Sequence, residues 1–453
     1  MFSASRIATR SRALRLPRQC IRQQSTKAGP NPPLPTGQYA APVLDVSNGT
    51  PFTHTPPSTP AEVTERLTEG AWSITGPTVD GVVTYDGVQV ASNFPCEDAL
   101  IHGKFPSPLQ PSNDWMGWGV FDGHLGSLTS QALTKHLLPY VHTHLSKLET
   151  PAPDDATIHR AIKAAFLDLD DQFTGHAQEI IDDASLTFAG KVNALSPGTN
   201  GSCALLSMFD PATRKLHVAC TGDSRAVLGR KVGGGGDGVE AAWEIVPLSV
   251  DQGGSNEAEA QRVRDEHKGE KNVVKDGRVL GLATARAFGD GHWKWPATLQ
   301  AFMRYRFNTN TMRVHSPDVY KTPPYITAEP EVTTTELKKG QPAFMIMASD
   351  GLWDRMTSEQ AVDLVAKWID WHAAGKPATG PAAVPADGMP YLVGWTMEQA
   401  KGIAVQDDNA AVHLTRNALG GTNQELVSAT LAFKPPFSRK ARDDITVQVV
   451  FFN

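Results

Sequence analysis

Four places in this chain share one design, an aspartate attached to an apolar run and beside glycine, serine or a second acid. They are Gly119-Val-Phe-Asp122-Gly123-His124, Thr221-Gly-Asp223-Ser-Arg225, Met347-Ala-Ser-Asp350-Gly-Leu-Trp-Asp354 and Ala441-Arg-Asp443-Asp444-Ile-Thr446. A carboxylate at the end of a buried strand is expensive to desolvate unless a cation meets it. A cluster of such groups without matching lysines or arginines points to a divalent metal, and all-oxygen ligands suit Mg2+, Mn2+ or Ca2+ better than zinc. Glycine after the aspartate allows close backbone approach, so its carbonyl can join the ligands. Each motif alone also has a plainer reading. Asp-Gly is a common turn, Asp223 can pair locally with Arg225, and Asp443-Asp444 can cap a strand start. His124 can be a helix-start residue bonded to a carboxylate.

The elements that must carry these groups follow from apolar periodicity. Trp118–Asp122 reads as a short strand halted by Asp-Gly. Thr129–Leu145 reads as a helix with Leu133, Leu137, Leu138, Val141 and Leu145 on one face. Ile158, Ile162, Ala165, Phe166, Leu169 and Phe173 mark a second helix. Val79–Val90, strand-like but broken by Asp-Gly pairs, predicts hairpins; the runs Ser202–Phe209 and Leu216–Leu228, joined by Asp210–Lys215, predict another. Phe344–Ala348 is a strand running into Ser349-Asp350-Gly351, and Thr357 with Gln360 forms a capping-box signature for the helix of Val362, Leu364, Val365 and Trp368. Alternating Ile445, Val447, Val449 and Phe451 predict a closing strand. Hairpins with helices between them favour α+β over a doubly wound parallel sheet.

With 453 residues, 40% of them hydrophobic, the chain can bury a large core. Its net charge of −6 and the absence of a basic stripe argue against nucleic-acid binding, a two-metal nuclease included. The charge is uneven. Arg6, Arg10, Arg12, Arg15, Arg18, Arg22 and Lys27 precede the first acid, Asp45, which is the composition of a mitochondrial transit peptide over residues 1–27, cut somewhere after Arg22. Residues 28–69, rich in Pro, Ser and Thr, read as a linker, and 70–453 as one body with insertions near 231–238, 293–324 and 373–400. The glycines of 231–238 lack the Gly-Lys-Ser/Thr ending of a phosphate-cradling loop. Cys20 falls in the presequence, and Cys96, Cys203 and Cys220 have no CxxC spacing, so buried free thiols are expected rather than disulfides or zinc. No run of apolar residues is long enough for a membrane span.

Taken in order, the motifs resemble a family. Val120-Phe-Asp-Gly-His124, Cys220-Thr-Gly-Asp-Ser-Arg225, Leu282-Ala-Thr-Ala-Arg286 with Ala287-Phe-Gly-Asp290, Ala348-Ser-Asp-Gly-Leu-Trp-Asp354 and Arg442-Asp-Asp-Ile-Thr446 are similar to those of the PPM metal-dependent Ser/Thr protein phosphatases. Pro95-Cys-Glu97-Asp98 resembles that family's N-terminal Glu-Asp motif. A narrower resemblance, to the mitochondrial pyruvate dehydrogenase phosphatase branch, is carried by 91–98, 322–332, 409–421 and 442–452.

This resemblance implies a four-layer α+β sandwich of two antiparallel β-sheets flanked by helix pairs, with a metal site at one edge. It implies that Asp98, Asp122, Asp350 and Asp443 hold two Mg2+ or Mn2+ ions, with the Gly123 carbonyl as a further ligand and Glu97 acting through metal-bound water. Asp223 and Asp354 match a weaker third metal position, and His124 matches the general acid. Many members place an arginine four residues before the Glu of the Glu-Asp motif to grip phosphate, where this chain and the narrower branch have Asn93. An amide cannot supply arginine's bidentate, charged contact, which leaves Asn93 itself, Arg286 or the metals to hold phosphate. The implied function is dephosphorylation of pyruvate dehydrogenase in the mitochondrial matrix by water activated between two metals, with a lipoyl domain as a candidate partner. The alternatives are a matrix phosphatase for another phosphoprotein, such as the branched-chain ketoacid dehydrogenase, or a catalytically dead binding module.

Overall fold

The computed structural model describes residues 57, 59–76, 79–110, 112–150, 152–233, 241–307, 318–377, 397 and 402–453. The expected presequence and most of the excursion expected at 373–400 lie outside the described residues. The main strands are β1 (Ala71–Thr75), β2 (Val82–Val90), β3 (Ala99–Pro106), β4 (Asp114–Phe121), β5 (Ala204–Asp210), β6 (Lys215–Thr221), β7 (Arg225–Val232), β8 (Ala242–Pro247), β9 (Glu331–Glu336), β10 (Ala343–Ala348) and β11 (Ile445–Phe452). They form two antiparallel sheets, ordered β1-β2-β11-β10-β7-β8 and β9-β6-β5-β4-β3.

The sheets face each other across a core that includes Tyr85, Trp118, Phe209, Met345, Val450 and Phe452. Their outer faces carry helices. Against the five-stranded sheet lie α2 (Leu128–Leu145) and α3 (Asp155–Thr174), through Leu133, Leu137, Ile162, Phe166 and their neighbours. Against the six-stranded sheet lie α4 (Ser358–Ala373) and α5 (Ala410–Ala418), through Val362, Leu364, Val365, Val412 and Leu414. This is the expected four-layer sandwich. The alternation in β11 is explained by it: Ile445, Val447 and Val449 face the helices, whereas Val450 and Phe452 face the other sheet, so both sides of the strand are buried.

Four expectations change. The linker reading of 28–69 fails at its end, where α1 (Pro60–Thr68) is a helix whose Val63 and Leu67 are fully buried in the helix-covered core. Thr59 and Glu62 close a capping box and Pro60 starts the helix, a signature obscured by the surrounding prolines. Asp86-Gly87 makes no turn; it continues β2, and the hairpin is β1–β2. A Cβ at Gly87 would come within 2.0 Å of the Trp72 ring, so the indole of β1 needs glycine beneath it. Leu216–Leu228 is not one strand, because it breaks at Gly222-Asp223-Ser224 and its halves, β6 and β7, join different sheets. Of the insertion expected at 293–324, Trp293 and Tyr320 pack with Tyr325 and Ile326 in a buried cluster, and Ala297–Phe307 is helical. Lys231 and Val232, at the start of the glycine-rich stretch, still belong to β7.

Candidate active site

Strand register explains why distant aspartates meet. Ala99 pairs with Phe121, which sets Asp98 opposite Asp122 one residue beyond the ends of β3 and β4. Ala348 pairs with Arg225 and with Val447, which brings Asp350, Asp223 and the Asp443-Asp444 pair to the same edge. One carboxylate oxygen from each of Asp122, Asp223 and Asp350 lies within 4.8 Å of the other two. Asp223, matched by resemblance to a weaker third position, therefore sits in the tightest grouping. The other expected ligands stand around it. Asp98 Oδ2 accepts from the Ser349 hydroxyl at 2.8 Å and the Thr446 hydroxyl at 2.7 Å. Asp443 pairs with Arg439 and accepts the Asp444 N–H at 2.7 Å. Asp354 closes the short turn that Asp350 opens, donating its N–H to the Asp350 carbonyl at 2.7 Å. A Cβ on Gly123 would lie 2.2 Å from the Glu97 carbonyl, so glycine is required for the Glu-Asp segment to sit against the Asp-Gly-His turn.

The grouping is short of positive charge. Burial, then the charges of Asp350 and Asp98, raise the Asp122 carboxyl well above the ordinary range. Burial, then Asp223 and Asp443, do the same to Asp350. Asp98 is pushed up to about 8 by burial and by the charge of Asp444, and burial raises Asp223 and Asp443 as well. Arg225, the local partner considered for Asp223, instead binds Asp251, with Nε to Oδ1 at 2.8 Å. A half-buried set of hard oxygens that repel one another fits divalent cations of the Mg2+ or Mn2+ type.

The neighbouring Asp444 behaves differently. Burial would raise it, but N–H groups of Asn93, Ser92 and Glu97 and the Asn93 amide hold it below the ordinary range. It is a clamp for the backbone of 92–97, which leaves Asp443 to face the cluster. Asn93 is thereby corrected as a phosphate contact: its amide nitrogen donates to Asp444 at 2.9 Å and to Glu97 at 3.2 Å. Arg286 is corrected too. It is buried and forks onto Glu259 at 3.0 and 2.7 Å, with Glu331 and the Glu329 carbonyl taking further donors. Arg286→Ala should cost about 1.5–3 kcal/mol of stability by removing charge-assisted bonds from a buried carboxylate that keeps only Arg262, read as a lower melting temperature with KM for a small phosphate ester little changed.

His124 has a partner the motif reading left unassigned. Its Nε2 lies 2.7 Å from Oδ2 of Asp290, whose side chain is fully buried. Burial pulls the imidazole down, but the Asp290 carboxylate outweighs it and the net shift is upward, favouring the protonated ring. Asp290 is held in a left-handed turn at φ 51°, with its N–H donating to the Asn200 carbonyl at 2.7 Å. Gly201 sits beneath the pair, where a Cβ would be 2.1 Å from His124 Nε2. The signal was present as Phe288-Gly-Asp290 in the motif series, but nothing local ties it to a histidine 166 residues away.

The profile of the protein phosphatase 2C family matches residues 90–380, a segment holding every expected acidic residue except Asp443. The chain belongs to the protein phosphatase 2C family. It is a Ser/Thr protein phosphatase of a metal-dependent family that acts on phosphoproteins. A protein phosphatase 2C homologue of Schizosaccharomyces pombe is 39% identical over 90% of each chain. The mitochondrial pyruvate dehydrogenase (acetyl-transferring) phosphatase 1 of Saccharomyces cerevisiae is 33% identical over 82% of this chain and 69% of its own. The human mitochondrial pyruvate dehydrogenase (acetyl-transferring) phosphatase 2 is 31% identical over 83% of this chain and 78% of its own. Among the described residues no helix is long and apolar enough to cross a membrane.

Proposed function

We propose that this protein phosphatase 2C dephosphorylates pyruvate dehydrogenase in the mitochondrial matrix, using two Mg2+ or Mn2+ ions and a weaker third. The observation that carries the chemistry is the grouping of Asp122, Asp223 and Asp350, half-buried and short of positive charge, beside a His124 whose pKa the Asp290 carboxylate raises. Asp98, Asp122, Asp350, Asp443 and the Gly123 carbonyl would hold the ions, with Glu97 reaching them through water and Asp223 and Asp354 serving the third. When bound, such ions neutralise phosphate charge and lower the pKa of water. The chain's own residues do the rest. Ser349 and Thr446 fix the orientation of Asp98, and Asp444 fixes the backbone that presents Glu97. With Nε2 engaged by Asp290, the Nδ1–H of His124 is the proton available to a leaving serine oxygen, which is too basic to depart well as an alkoxide.

Asp290→Asn tests this division of labour. The amide removes the charge that keeps the ring protonated, so kcat should fall by about 10–100-fold. The alkaline limb of the pH–rate profile should also move to lower pH, because the acid form of His124 is lost sooner as pH rises. An unmoved limb would remove His124 from the proton transfer.

The substrate and the compartment rest on the Arg-rich start and on the names of the two mitochondrial relatives. Purified phosphorylated pyruvate dehydrogenase incubated with the protein and Mg2+ or Mn2+ should lose phosphate. Inactivity there, with activity on phosphorylated branched-chain ketoacid dehydrogenase, would transfer the assignment to that substrate.

A further inference from the structure

Asn93 stands where phosphate could be gripped, but its donors are spent inward, and Arg286 is sealed in an ion-pair network. The chain nevertheless brings another guanidinium to this rim. The turn Ser438–Lys440 is fastened to the strand leading into Asn93: the Ser438 hydroxyl donates to the Ser92 carbonyl, and Arg442 donates to the Ala91 carbonyl at 2.8 Å. Arg439, on that turn, pairs with Asp443, and 52% of its side chain stays exposed. It lines a cavity of about 280 Å3 together with Gly351, which follows Asp350, and with Asp354, Arg355, Lys440 and Asp443.

We propose that Arg439 grips the phosphoryl group of the substrate, supplying from the C-terminal turn the contact that Asn93 cannot make. A guanidinium offers five N–H donors in a fixed fork. One neighbouring carboxylate does not exhaust them, and phosphate oxygens match the fork's geometry. The half-exposed side chain can reach a ligand without breaking buried packing. This assignment deepens the phosphatase reading of the same site and rests on it.

The test uses the full chain loaded with Mn2+ and inorganic phosphate as the probe. Calorimetric titration should show phosphate binding weakened about tenfold or more in Arg439→Ala, the loss expected of one charge-assisted contact. Arg439→Lys should recover only part, because an ammonium lacks the fork. In turnover of a small aryl phosphate, Arg439→Ala should raise KM more than it lowers kcat. Mn2+ affinity, measured separately, should change less than phosphate affinity. Parent-like phosphate affinity in Arg439→Ala, or a loss confined to Mn2+ affinity, would overturn the assignment. Phosphate binding needs no turnover, so a parent that binds phosphate but hydrolyses nothing overturns the phosphatase reading alone, and the Arg439 comparison is still decided by the titration.

Discussion

Asp122→Asn should stop turnover of a small aryl phosphate while the metal-free protein melts no lower than its parent. The amide nearly matches the carboxylate in shape, so packing at the end of β4 is kept and only a charge and a ligand oxygen are lost. That charge lies half-buried among Asp350, Asp98 and Asp223, which already push it toward the protonated form. Removing it relieves repulsion, and at pH 8 in a chelator the variant should be the more thermostable of the two. Activity should fall well beyond the ~10–100-fold that losing a ligand's supporting hydrogen bond costs. The melting-temperature gain on adding Mn2+ should shrink with it, because binding to the folded state is what stabilises. Turnover at parental levels, or an undiminished Mn2+ gain, would take Asp122 out of the metal site.

Chelation provides the second large effect, and it depends on pH. Asp98 has a folded value of about 8 against an ordinary 3.8. Its contribution to metal-free stability is therefore fully present below the unfolded value and is lost as pH rises through 8, at about 1.4 kcal/mol per pH unit for each proton released. Asp122 and Asp350 shift the same way. Buried His217 and His413 have the opposite sense. Burial lowers both from 6.5 to about 4, so their contribution is present above 6.5 and lost as pH falls toward 4. Above pH 6.5 these two histidines no longer contribute, and His124, raised above 6.5, adds to the carboxylate slope in the same sense, so the metal-free protein should melt progressively lower between pH 6.5 and 8. Metal competes with protons for the same oxygens, so its stabilisation grows over that interval. The melting-temperature loss caused by EDTA should be larger at pH 8 than at pH 6.5; an equal loss at both would contradict a carboxylate metal centre.

What could be read from the chain alone follows the range of the interactions involved. Asp122, Asp223 and Asp350 stand out because each ends a run of apolar residues and Asp443 because it precedes one, a local property, and their order supplies the rest. The capping box at Thr357 is local for the same reason. The one at Thr59 was equally present but lay among prolines that suggest a linker. Pairings across the fold were not legible. Nothing near Arg286 marks Glu259 as its partner, and nothing near His124 marks Asp290. The break at Gly222 was invisible to apolar periodicity because β6 and β7 are both buried strands; only their membership of different sheets separates them. Asp443 and Asp444 are adjacent and alike in type, yet the backbone N–H groups around Asp444 decide which of them is free to serve the site.

The position of β11 bears on when this enzyme can exist. The last strand enters between β2 and β10, at the middle of its sheet rather than at an edge. Until residues 445–452 arrive, β2 and β10 have no common neighbour, and the edge that gathers the aspartates is open. A chain lacking residues 445–452 should therefore show no turnover of a small aryl phosphate, although nearly every motif is still in place.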